Sequence, residues 1–314
     1  MGEVVPVGRF APSPTGRMHL GNIFTAVLSW LSVKSRGGRW ILRIEDLDPQ
    51  RSRREWAERM EEDLRWLGLD WDEGGLQGIG MSAPCMQSLR GDIYEQYFKR
   101  LTATGNAYSC RCTRADLMAV NAPHQSDGRL IYPGTCRPPT IPSAEPLSRG
   151  CAVRLYVPDE DICYTDAVFG AQRVNLSQEC GDFILRRADG AWSYQLAVVV
   201  DDALMGVNEV VRGCDLLLSA AQQIYISRLL DLREQSYMHL PLVSNRSGQR
   251  LSKRDSSLSM EALRIRFTPE ELLGRVGWMA GLLASPRPVT LSHLLERYAP
   301  GRIVGREKII VDFM

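Results

Sequence analysis

Short apolar runs alternate with amphipathic stretches over most of the chain. Residues 4–7 (VVPV) form an apolar run that predicts a first strand, and 23–33 carry a helical pattern. Residues 39–45 (RWILRIE) predict a second strand whose end delivers Glu45, Asp46 and Asp48. The stretch 52–67 sets Trp56, Met60, Leu64 and Leu67 on one face, the pattern of an amphipathic helix that covers a sheet. A glycine-rich loop follows at 74–80, then a further helix at 92–101. Strand and helix taken in turn predict an α/β fold with a parallel, doubly wound sheet.

The rhythm breaks at 110–146, which is rich in Pro, Gly and Cys and reads as an insertion. Strand-like pieces resume at 152–157, 172–174 and 183–186. Residues 196–200 (LAVVV), followed by Asp201 and Asp202, suit a central parallel strand buried on both faces. A crossover helix is predicted over 216–230, a last core strand over 240–243, and a polar, basic loop over 245–255. From 260 the pattern is helical until a short apolar run at 308–311. The expected division is a first half of the doubly wound domain at 1–107, an insertion at 108–190, the second half at 191–255 and a helical part at 256–314.

Composition narrows the class. With 314 residues, 44% hydrophobic and 24% charged, the chain has the make-up of a globular protein, not of a disordered or fibrous one. Lys and Arg (38) balance Asp and Glu (37) to a formal net charge of +1, so an RNA-binding surface would have to be a local patch. No apolar run has membrane-spanning length and no signal peptide is evident, so the expected location is the cytoplasm. The eight cysteines then read as reduced core residues or metal ligands.

The chemistry gathers first at residues 9–22 (RFAPSPTGRMHLGN), between the first predicted strand and helix. Pro12, Pro14 and Gly16 make a rigid turn; His19, Gly21 and Asn22 fall where that turn becomes a helix. A helix start offers unpaired N–H groups and a positive dipole end, Gly21 lets a nucleotide approach the backbone, and His19 adds a donor to phosphate oxygens. The RFAPSPTG-x-x-HLG pattern resembles the first signature of the class I aminoacyl-tRNA synthetases in its glutamate-accepting form. RLSKR at 250–254 resembles the second signature, a mobile loop whose last lysine stabilises the pentavalent phosphate as the adenylate forms.

That resemblance implies a Rossmann-type parallel sheet with a zinc-bearing insertion and a short α-helical C-terminal part. It also implies ATP, accompanied by Mg²⁺, as a substrate. His19 and Lys253 take the catalytic positions, and Pro12, His19, Gly21, Asn22, Arg250 and Lys253 take those that hold ATP. The family's signature often ends in a second histidine where this chain has Asn22. No side chain need act as nucleophile, because the substrate carboxylate attacks the α-phosphate while cations hold the departing pyrophosphate.

A side-chain carboxylate calls for a fixed cation, and arginine can grip it with two donors. Arg9 matches the arginine that the glutamyl family uses for this, with Ala11 and Ser13 beside it. Glu45 matches the acceptor for the substrate α-ammonium, and Tyr194 and Arg212 match two further pocket residues. The segment SYQLAVVVDD departs from ordinary glutamyl synthetases, which tend to carry asparagine where this chain has Val198. It looks like that of a smaller branch, the glutamyl-queuosine tRNA(Asp) synthetases. Cys110, Cys112, Tyr132 and Cys136 resemble the zinc motif of that branch, and His124 is an alternative fourth ligand by its chemistry.

The resemblance runs from residue 5 to about 266 and includes no anticodon-binding domain. It implies glutamate, ATP and the queuosine-bearing anticodon loop of tRNA(Asp) as partners; separately, a monomer with no membrane partner is expected. A compact enzyme charging the tRNA 3′ end and a non-catalytic regulatory paralogue are the alternatives.

Overall fold

The computed structural model describes residues 5–113, 115–117, 131–142, 146–244 and 258–311. Arg250, Lys253 and His124 lie outside the described residues. The first strand, β1 (Val7–Phe10), starts later than 4–7 and runs straight into the first signature. It pairs in parallel with β2 (Arg39–Leu42), from Val7 with Arg39 to Phe10 with Leu42, and β2 pairs with the two-residue β3 (Glu73–Gly74). On its other side β1 meets β9 (Glu209–Gly213), then come β10 (Ser236–Leu240), β6 (Asp161–Asp166) and β7 (Gly170–Asn175). These seven strands are parallel except β7, which returns antiparallel to β6. The stretch expected as an insertion thus gives the main sheet two strands. It also builds an antiparallel sheet of its own from β4 (Ala107–Cys110), β5 (Ala152–Leu155) and β8 (Phe183–Arg186).

Alternation along the strands sorts side chains between two cores. Trp40 and Leu42 of β2, Val211 of β9 and Met238 and Leu240 of β10 join one core with helices α1 (Leu20–Lys34) and α2 (Arg54–Trp66). Ile41, Val210 and Tyr237 face the other core, where α3 (Gly91–Thr102) packs. After the four-residue helix α4 (Leu176–Glu179), that second core is completed by α5 (Tyr194–Leu204) and α6 (Leu217–Leu229).

Helix α5 corrects the reading of LAVVV as a strand. Ser193 caps it by accepting the Leu196 N–H, and Leu196, Ala197, Val199 and Val200 all enter the second core. A five-residue apolar run carries no period of its own, so helix burial on several sides imitates a central strand. The last expected strand, 240–243, divides into β10 and β11 (Leu242–Ser244), with Pro241 between them. Proline lacks the N–H that a continuous ladder would need there. Strand β11 pairs instead with β12 (Lys308–Ile310), beyond helices α7 (Met260–Arg266), α8 (Pro269–Met279) and α9 (Leu291–Arg297).

The face that buries Val7, Ile41, Val210 and Tyr237 changes character two residues further along each strand, at Arg9, Arg43, Arg212 and His239. All four are buried. Over them lie Asp201 and Asp202, both buried at the end of α5. Arg43 is fully enclosed: its Nη1 donates to Asp202 at 2.6 Å and its Nη2 to Glu45 at 3.1 Å. Asp201 takes hydrogen bonds from Arg90, Gln87 and Tyr94 at 2.7–2.9 Å. Two carboxylates at a helix C-terminus oppose the dipole as well as desolvation, so removing a cation leaves charge buried with nothing to balance it. Arg43→Met should therefore destabilise the protein by about 3–5 kcal/mol, read from urea unfolding. A loss under about 1 kcal/mol would mean that the cluster behaves like surface ion pairs.

Candidate active site

The chain leaves β1 toward β2 and β3 on one side, and later fills β9, β10 and β6 on the other. The break between β1 and β9 is where the direction of building reverses, and ligand crevices in such sheets form there, at the carboxyl ends of the strands. A cleft of about 460 Å³ opens at this point. It gathers Arg9, Ala11, Pro12, Ser13, His19, Gly21, Asn22, Glu45, Tyr194 and Arg212. Every described residue expected to hold glutamate or ATP thus meets in one cavity.

One end of the cleft is the start of α1. His19 is the N-cap, and its Nδ1 accepts the Gly21 N–H at 3.1 Å. In return Asn22 Oδ1 accepts the His19 N–H at 3.0 Å, a reciprocal capping box. Asn22 therefore does local structural work where the family often has histidine. With Nδ1 engaged as acceptor, a neutral His19 carries its proton on Nε2. A Cβ on Gly21 would lie 3.1 Å from the His19 ring, so glycine leaves that ring its place. The first turn of α1 holds no acidic side chain, which suits a phosphate.

The expected second signature is bracketed from both ends. Val243, just before it, lines the cleft. Just after it, Ser259 bridges to His19, and the Met260 N–H reaches the Met18 carbonyl at 2.9 Å. Behind this junction the buried Asp63 accepts from Arg264 of α7 at 2.9 Å and has Arg17 at 3.8 Å.

The other end of the cleft is built for a charged, zwitterionic ligand. The Arg9 Nε–H donates to Asp202 at 3.3 Å, while its two Nη groups have no hydrogen-bond partner among the described residues. Burial lifts Glu45 above the ordinary carboxylate range, against the pull of Arg43 and Arg9. Burial would lift Asp202 as well, but Arg43 and then Arg9 hold it below that range. Asp202 is the committed anion. Glu45, sharing Arg43 with it, is the carboxylate that an incoming ammonium would satisfy.

Arg212 is held by uncharged groups. Its Nε donates to His239 Nε2 at 3.1 Å, its Nη1 to Gln223 Oε1 at 2.8 Å and Tyr194 OH at 3.4 Å, and its Nη2 to the Leu216 carbonyl at 3.3 Å. On the far side of His239, Nδ1 lies 2.7 Å from Asp166 Oδ2. Neither Asp166 nor His239 stands out in the sequence, because one histidine in an apolar strand ordinarily reads as core. The signal available was the alternation that puts His239 in line with Tyr237.

A second cleft of about 530 Å³ shares Ser13, Thr15, Glu45 and Tyr194 with the first. Its outer wall includes Asp48, Arg51, Arg187 and Trp192, from the β2 exit and the segment after β8. Away from both, Cys110, Cys112 and Cys136 bring their sulfurs within 4.8 Å of one another, a group that could hold a metal ion. Cys112 and Cys136 are 3.6 Å apart, close to the ~3.8 Å edge of a tetrahedral zinc–thiolate site. Tyr132 OH lies 3.4 Å from Cys110 Sγ, at the same cluster.

Residues 5–279 match the model of the tRNA synthetases class I (E and Q), catalytic domain. The chain belongs to this family. It is 46% identical over 303 residues, 94% of this chain and 93% of the other, to a protein of Symbiobacterium thermophilum named glutamyl-Q tRNA(Asp) synthetase. A protein of the same name from Nitratidesulfovibrio vulgaris is 45% identical over 88% of this chain and 86% of its own. Glutamate–tRNA ligase 2 of Alkalilimnicola ehrlichii is 44% identical over 84% of this chain, but over only 56% of its own. The crystal structure of a glutamate tRNA ligase from Elizabethkingia meningosepticum, in complex with its amino acid, superposes with a TM-score of 0.81 at 27% identity. The match covers 96% of this chain and 66% of that one. The fold is that of a class I synthetase, mixed α/β about a mostly parallel sheet. No helix among the described residues is long and apolar enough to cross a membrane.

His239 yields a pH test of this geometry. Burial, with Arg212 adding to it, holds its imidazole below the ordinary histidine range despite Asp166. A depressed folded value stabilises the fold above the unfolded value and loses that contribution as pH falls, here from about 6.5 downward. The destabilisation caused by His239→Gln should therefore shrink as pH falls from 7 to 5.5 in urea titrations. A penalty that stays constant would show that His239 is not kept neutral.

Proposed function

We propose that this chain activates glutamate with ATP and transfers it to the queuosine base in the anticodon of tRNA(Asp). The observation that carries the reading is the convergence of Arg9, Glu45, Tyr194 and Arg212 on the mouth of a helix-start phosphate site. The side-chain carboxylate of glutamate would lie between Arg9 and Arg212, with Tyr194 beside it and its ammonium on Glu45. Ala11 and Ser13 would fix the backbone of the ligand. That leaves the α-carboxylate directed toward ATP, which Pro12, His19, Gly21 and Asn22 would hold with its Mg²⁺.

Attack of that carboxylate on the α-phosphate gives glutamyl-adenylate and pyrophosphate. His19, through Nε2–H, and Lys253 of the 250–254 loop would stabilise the phosphate charge that develops, and Arg250 would assist. The adjoining cleft, with Arg51 and Arg187 on its wall, would admit the acceptor nucleoside. There a hydroxyl takes the glutamyl group and AMP leaves. The names carried by the relatives similar over most of their own length support queuosine as acceptor, and so does Val198 in place of asparagine. A splayed anticodon base is a fitting target for such a pocket.

The Cys110, Cys112 and Cys136 thiolates and the Tyr132 phenolate fit a structural zinc ion. It would cross-link a segment with little core of its own. Purified protein should hold about one zinc per chain, and Cys136→Ser should lose it; metal-free protein of unchanged melting temperature would refute the site.

The test of function supplies labelled glutamate and ATP with queuosine-containing tRNA(Asp), the same tRNA with guanosine, or tRNA(Glu). Label on the queuosine form alone is expected. Label on tRNA(Glu) would instead make the chain a compact synthetase that charges the 3′ end. Failure on all three, without glutamate-dependent pyrophosphate exchange, would leave the regulatory paralogue.

A further inference from the structure

From the geometry around Arg212 we infer that Asp166 and His239 are positioning residues that set the direction of the Arg212 guanidinium, and through it the affinity for glutamate. This rests on the reading of Arg212 as a glutamate-binding residue.

The Asp166 carboxylate lies at the end of β6 and is fixed by three backbone donors: the N–H groups of Val168, Phe169 and His239, at 2.9–3.0 Å. Burial works against its charge, but the His239 side chain and the Phe169 and Val168 N–H groups hold Asp166 below the ordinary carboxylate range, so it can only accept. His239 Nδ1 at 2.7 Å must then carry a proton. On the other ring nitrogen the geometry is equally demanding. The Arg212 Nε–H points at His239 Nε2 from 3.1 Å, so Nε2 must be bare. One tautomer satisfies both sides, the neutral ring protonated on Nδ1. A protonated ring would set two donors and two cations against each other inside the sheet.

The surroundings limit alternatives. The Tyr237 ring lies nearly parallel to the His239 ring, 12° apart, and the Arg212 guanidinium lies 5.2 Å from the Tyr237 ring centroid. Tyr164 meets Tyr237 edge-on. With Nε committed to His239, Nη1 to Gln223 and Tyr194, and Nη2 to the Leu216 carbonyl, the plane of the guanidinium is set by groups from β10, α5 and α6 with its N-cap, where Arg212 lines the cleft. Arginine in a bidentate role loses much of its value when that plane turns. The chain Asp166–His239–Arg212 thus carries a fixed orientation from the rim of the sheet to the ligand.

Two variants each keep one half of the relay. His239→Gln can present an oxygen near the Nε2 position and still accept from Arg212; His239→Asn can donate to Asp166 but leaves Arg212 Nε without its acceptor. ¹⁵N NMR of the side chains, which needs no substrate, should show His239 protonated on Nδ1 alone. It should also show an Arg212 Nε–H protected from exchange in the unsubstituted protein and in His239→Gln, and unprotected in His239→Asn. Glutamate titrations by calorimetry should then weaken about ten- to a hundred-fold in His239→Asn and within about threefold in His239→Gln, with ATP affinity unchanged in both. A proton on Nε2, or equal Arg212 protection in the two variants, overturns the inference. So do equal losses of glutamate affinity. If the unsubstituted protein binds no glutamate, the functional reading fails and the NMR result alone decides the relay.

Discussion

The structure depends on a buried arginine with three carboxylates around it. Arg43 cannot reach water, so Asp201, Asp202 and Glu45 must remain where they are, and each of them fixes something else. Asp202 orients Arg9 from β1, and Asp201 ties in Arg90, Gln87 and Tyr94. Glu45 opens onto the cleft. The cluster sets three arginines, Arg9, Arg43 and Arg90, among three carboxylates. A zwitterionic amino acid with an acidic side chain brings an ammonium for Glu45 and a carboxylate for the open edge of Arg9. Such a ligand completes the network where a neutral one would leave part of it exposed.

This arrangement also explains why the sheet looks as it does. Each central strand is apolar toward its amino end and charged or polar toward its carboxyl end on one face. Burial of Ile41, Val210 and Tyr237 anchors the strands rigidly, and the same strands then present Arg43, Arg212 and His239 two residues on. A binding group on a packed strand keeps its direction better than one on a loop. The phosphate end follows another rule: there the groups are backbone N–H and a capping histidine, set by the start of α1.

The alternation of apolar and amphipathic stretches made the α/β class legible, as did the strands at Arg39–Leu42 and Phe183–Arg186 and the helices α2, α3 and α6. Most of the cleft residues were legible because the motifs RFAPSPTG, HLG and RIED keep their chemistry within a few residues of the ends of β1 and β2. What escaped depends on tertiary burial. Val198 to Val200 are β-branched and enclosed on several sides, so their composition argues strand while the Ser193 cap and the length of α5 make a helix. Arg212 stands out by its VVRG motif while its strand does not, since β9 is short and bordered by polar residues. Asp166 and His239 are far apart in the chain, and only the β6–β10 pairing brings them together.

The central claim is that fixed, desolvated charges select an acidic amino acid. Calorimetric titration of the protein with glutamate and with glutamine, each with a non-hydrolysable ATP analogue, tests it most directly. Glutamine keeps the shape and the ammonium and lacks only the side-chain charge, so it should bind at least about a hundredfold more weakly. Equal affinity for the two would mean that Arg9 and Arg212 do not read the side chain, and the account of the cleft would be wrong.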